Sequence, residues 1–119
     1  MGTISVEDAL NLMSGDYNGS KVRDVLPLMV KNYLTHRDCP EDEGDYPGTL
    51  CEWWTCKAHS SEIKAGGPVT YVLQLARDMA TNGWDPEAEG VDVCGDTLHD
   101  GHHRTLAAAL AGLEEIPVN

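Results

Sequence analysis

Asp100-Gly101-His102-His103-Arg104 runs directly into Thr105-Leu106-Ala107-Ala108-Ala109-Leu110. A tight, glycine-bearing turn thus opens into an alanine-rich segment of helical character. The first amides of a helix have no earlier carbonyl to bond, so such a turn presents backbone N–H groups at the positive end of the helix dipole. Two imidazoles and a guanidinium stand beside them, which is the chemistry of a phosphate or other anion seat. Gly101 permits a φ that other residues resist and lets a ligand approach the main chain. Asp100 is expected to cap the helix and, in the functional reading, also to orient a histidine or Mg²⁺. On an ideal wheel Arg104 lies away from Leu106 and Leu110, so it could clamp a phosphate bidentately from the open side or stand as a solvated surface arginine. His102 and His103 flank the apolar arc. One of the two is expected to be structural, bonded to Asp100 or a carbonyl, and the pattern does not say which.

Working outward, Val91-Asp-Val93 and Thr97-Leu-His99 read as a very short hairpin through Cys94-Gly95-Asp96. Asp96 and His99 could complete a polar pocket beside the turn. The closing helix is expected from about Gly101 to Leu113, with Leu106, Leu110 and Leu113 on its core face and Gly112 near its end. Ile116-Pro-Val118 reads as a final strand, its proline confining it to an edge or a strand start. Upstream, Gly66-Gly67-Pro68 breaks the chain before a helix over 69–82, where Val72, Leu75, Ala76 and Met79 share one arc and Gln74, Arg77 and Asp78 face away. Asn82-Gly83 supplies its C-cap.

The first third is less clearly written. Ser5-Val-Glu-Asp8 has the form of a capping box with Asp in the usual Glu position, predicting a helix up to Gly15. Lys21 to Val25 suits a strand, with Pro27 in the first turn of a following helix toward His36. A single kinked helix from Ser20 to His36 is the competing reading. Residues 38–50 read as an acidic loop, and Leu50 to Cys56 as a strand or irregular segment buried by Trp53 and Trp54.

Composition bounds what such a chain can do. Its 119 residues suit one domain, 1–119, with 38–65 as a divergent insertion or lid. Hydrophobic residues at 41% and charged residues at 24% indicate a globular chain. The formal charge of −12, from 20 Asp and Glu against 8 Lys and Arg, repels a nucleic-acid backbone and disfavours direct nucleic-acid binding. A small nucleotide held locally with Mg²⁺ is compatible with it, and so is a basic protein partner. There is no membrane-length apolar run and no visible secretory signal, so a cytoplasmic protein with reduced cysteines is expected. Oligomeric state is not readable. Cys39, Cys51, Cys56 and His59 form a second constellation of tetrahedral-zinc ligand types, although their spacing is not that of a paired zinc knuckle.

From Val69 onward the sequence resembles the ParB/sulfiredoxin-like superfamily, the group of ParB-like nuclease domains. The resemblance rests on the helix ending in Asn82-Gly83, the hairpin, Asp100-Gly-His-His-Arg104, Leu106-Ala-Ala-Ala109, Gly112-Leu113 and Ile116-Pro-Val118. It covers about fifty residues. It implies an α/β (α+β) fold with a short mixed sheet and packed helices. It also implies a nucleoside di- or triphosphate, such as ATP, bound with Mg²⁺ at Gly101, His102, His103 and Arg104, and it leaves Asp100 and His103 as the catalytic candidates. Phosphoryl chemistry would need a base and Mg²⁺ ligands beyond this motif.

Departures from the family narrow the choice. The sulfiredoxin cysteine position is His102 here, and the basic Gly-Glu-Arg-Arg motif of the chromosome-partitioning members is replaced by Gly-His-His-Arg. Small acidic versions of this kind occur in phage and mobile elements. The expected function is a small nucleotide-binding protein, with phosphoryl transfer or nucleotide hydrolysis as the candidate chemistry. A non-catalytic acidic protein that binds a basic partner or mimics nucleic acid is the alternative, and a metal-dependent nuclease is the third.

Overall fold

Ser5 begins the folded chain's first helix as the sequence says it should: its hydroxyl accepts the Asp8 N–H at 3.0 Å and caps α1 (Val6–Asn11). The computed structural model describes residues 2–37 and 57–119. Strand β1 (Gly2–Ser5) precedes α1, and β2 (Met13–Ser14) follows it. A 3-10 turn (Val22–Asp24) leads into α2 (Val25–Arg37). Then come α3 (Lys57–Ala65), α4 (Pro68–Asn82), β3 (Asp92–Cys94), β4 (Thr97–Asp100), α5 (His102–Ala111) and β5 (Glu115–Val118). The class is α+β with a mixed sheet.

These elements fall into two units, one made of Met1–Val25 with Val72–Asn119, the other of Leu26–Tyr71. In the first, β1 pairs antiparallel with β5, Gly2 opposite Val118 and Ser5 opposite Glu115. A three-stranded sheet runs β2-β4-β3, parallel between β2 and β4 and antiparallel between β4 and β3. Helix α1 packs on α5 and on the 3-10 turn. Val6, Ala9, Val22, Val25, Leu98, Ala107, Ala108 and Ile116 close the core, together with Val72, Ala76 and Met79 from α4. In the second unit, Met29 and Glu62 are buried and Gly67 lies against the ring of Tyr33. The loop and aromatic segment expected over 38–56 lie outside the described residues.

Several expectations hold. The 69–82 helix is α4, with Gln74, Arg77 and Asp78 outward and Gly83 N–H bonded to Met79 C=O at 2.8 Å. The hairpin forms with Cys94 opposite Thr97 and a two-residue Gly95-Asp96 turn. Pro27 sits in the first turn of α2.

Three expectations need correction. Helix α1 stops at Asn11, because Leu12 turns extended and the next amides bond elsewhere: Met13 N–H to Asp96 C=O and Gly15 N–H to Leu98 C=O, both at 2.8 Å. Lys21 to Val25 is no strand. Lys21 makes one bridge to Met13, and the spacing of three between the fully buried Val22 and Val25 belongs to the 3-10 turn. Leu110 is 62% exposed, not core. The buried residues of α5 are His102, Thr105, Leu106, Ala107 and Ala108, and the helix packs on α1.

Candidate functional site

Three elements meet around the decisive stretch: the turn after β2, the end of β4, and the first turn of α5. Gly101 joins the last two with φ 102°. A Cβ there would lie 2.6 Å from Val91 Cγ1. The glycine therefore serves the turn and the packing of Val91. Gly101 is also the N-cap of α5 and makes no side-chain cap hydrogen bond. The expected Asp100 cap is thus corrected. Asp100 is the last residue of β4, one position too early to cap, and its carboxylate lies 3.7 Å from Arg104 Nη2, one helical turn on.

His102 is the structural histidine. It is 4% exposed, and its Nε2 lies 2.8 Å from Ser14 Oγ, itself 3% exposed. Neither Asp100 nor a carbonyl is that partner. Ser14 Oγ also accepts the backbone N–H of Tyr17 at 3.0 Å and of Asp16 at 3.2 Å. Those two donors use both lone pairs of the hydroxyl oxygen, so its single proton goes to Nε2. The proton of the neutral imidazole then sits on Nδ1, which faces Asp16 Oδ2 at 3.4 Å. Burial pushes the His102 pKa below its ordinary value of 6.5; His103 and His99 push the same way, while Asp16 and Asp100 oppose them.

Serine, histidine and aspartate here lie in the order of a nucleophile–base–orienter triad. The resemblance ends at the serine. A nucleophile needs an exposed oxygen with a lone pair to give, and Ser14 has neither. The trio is a buried pin that ties the 14–17 turn to the start of α5.

Arg104 does not stand on the open side. Its Nη1 donates to the Glu89 carbonyl, its guanidinium lies over the Trp84 ring 5.4 Å from the centroid, and its side chain is 23% exposed. It fastens the 84–89 connection to α5. His103 occupies the first turn of α5 and is half-buried. Asp96 accepts the Thr97 hydroxyl at 3.2 Å, a local turn bond, while His99 lies near enough to His102 to bear on its protonation.

The other candidates lie elsewhere. Cys39, Cys51 and Cys56 are outside the described residues, and His59 falls on α3. Among the described residues no cluster of three or more His, Cys, Asp or Glu could hold a metal ion. Among them, too, no helix is long and apolar enough to cross a membrane.

Sequence reasoning found the histidines but missed Ser14 and Asp16. They lie more than eighty residues from His102, and a buried serine closing a two-residue strand leaves no periodic trace. Compared with protein-family models, curated proteins and solved structures, the chain matches none.

Proposed function

We propose that the protein binds a nucleoside di- or triphosphate, with its phosphates at the N-terminus of α5. The observation that supports this reading is the helix start itself: ten residues of helix begin at a glycine cap with no capping side chain. An anion complements the partial positive charge of such a terminus. The donors in this reading are the amides at the head of α5, with the His103 ring beside them. His102 and Arg104 act behind them as positioning residues, since both are already engaged within the protein. Asp16 and Asp100 place negative charge next to the seat, so the nucleotide enters as its Mg²⁺ complex, the metal held chiefly by phosphate and water. The ParB/sulfiredoxin resemblance accords with this reading.

The test is an amide-resolved NMR titration with ATP, ADP, CTP and GTP, each with Mg²⁺. Saturable shifts centred on His102, His103 and Arg104, weakened in His103→Ala, are expected. Folded protein whose α5 amides stay unmoved at millimolar nucleotide would end the proposal. The charge of −12 favours one alternative, capture of a basic protein partner through the acidic surface, which would leave the α5 amides silent.

A further inference from the structure

We infer that Ser14 and His102 form a proton-operated latch, closed while the imidazole is neutral and released from the 14–17 turn when it is protonated. The argument is a count of donors and lone pairs. Closed, Ser14 Oγ accepts from Asp16 N–H and Tyr17 N–H and donates to His102 Nε2, so every position on the oxygen is used. A proton taken from solvent onto Nε2 turns that nitrogen into a donor. The oxygen would then face three donors with two lone pairs, and its own proton would lose its acceptor. At least one of the three bonds must break.

The neighbourhood sets where this happens. From the turn, the Asp16 carboxylate faces Nδ1 at 3.4 Å and favours the imidazolium; from β4, Asp100 favours it and His99 opposes it; from α5, His103 opposes it. Burial of the ring opposes it most, and the latch therefore opens on the acid side of ordinary histidine. Asp16, its side chain 63% accessible, gives the proton a partner at the rim. The device needs no ligand and stands whether or not α5 seats a phosphate.

The experiment follows the His102 ring nitrogens and backbone amide exchange by NMR from pH 7.5 downward, with exchange rates corrected for their intrinsic pH dependence. Protection of the Tyr17 and Asp16 amides is expected to fall about tenfold, the scale of one lost hydrogen bond, along the same curve as the His102 titration. Protection at Ile4 and Ile116 should stay constant through that step. Asp16→Asn, a change at an exposed side chain, should move both curves together to lower pH. Protection of Tyr17 that ignores the titration, or that falls only together with Ile116, would overturn the latch. So would an Asp16→Asn midpoint that stays in place or rises.

Discussion

At Gly101 a single added carbon would meet two costs. The backbone there is left-handed, at φ 102°, where an L side chain is strained by about 1–2 kcal/mol. The new Cβ would also drive into Val91, a fully buried side chain at the root of the hairpin. Overpacking of this kind costs about 1–3 kcal/mol. Gly112, at φ 81° with open space around it, carries the first cost without the second. Gly101→Ala is therefore expected to destabilise by about 3 kcal/mol and Gly112→Ala by about 1 kcal/mol, compared by urea unfolding. Equal losses would mean that Val91 moves aside freely. The sequence announced a special glycine at 101 but not its contact with Val91, which lies ten positions away across the hairpin.

At the scale of elements, Arg104 joins α5 to a segment that has no regular structure of its own. It donates to the Glu89 carbonyl, covers Trp84 and faces Asp100. A lysine keeps the charge but cannot present a flat face to an indole while donating along the same plane. Arg104→Lys is expected to cost about 1 kcal/mol and to speed exchange of the Trp84 indole proton, read by NMR. An unchanged indole would show that Asp85 and Pro86 hold the turn unaided. What was legible among the elements follows their length and periodicity. Helix α4 shows its buried arc from Val72 to Met79, and the hairpin is bracketed by turn residues. β1 and β2, four and two residues long, were not legible, because their partners lie at the far end of the chain. Leu110 was misplaced because α5 packs through alanine and threonine, and a wheel drawn on leucines turns the helix the wrong way.

For the molecule as a whole, the buried His102 makes stability depend on pH with a definite sign. Its folded pKa lies below 6.5, so between the two values the unfolded chain binds the proton and the folded chain does not. The stabilisation is complete above about 6.5 and is lost as pH falls through the folded value. Urea midpoints are accordingly expected to drop on acidification from pH 7 to pH 5. His102→Gln, which keeps an acceptor for Ser14 without a titrating ring, should flatten that part of the slope. A variant as acid-sensitive as the parent would transfer the effect to the carboxylates.

The pairing of β1 with β5 has a further consequence, one of order in time. Gly2–Ser5 are synthesised well before their ladder partners, Glu115–Val118. Closing a loop of that length costs on the order of 4 kcal/mol of chain entropy if the intervening chain is unstructured. That cost falls only as the segments between acquire structure of their own. Strand β1 is therefore made well before it is satisfied, and in the interval it carries an open edge that residues 115–118 must cover.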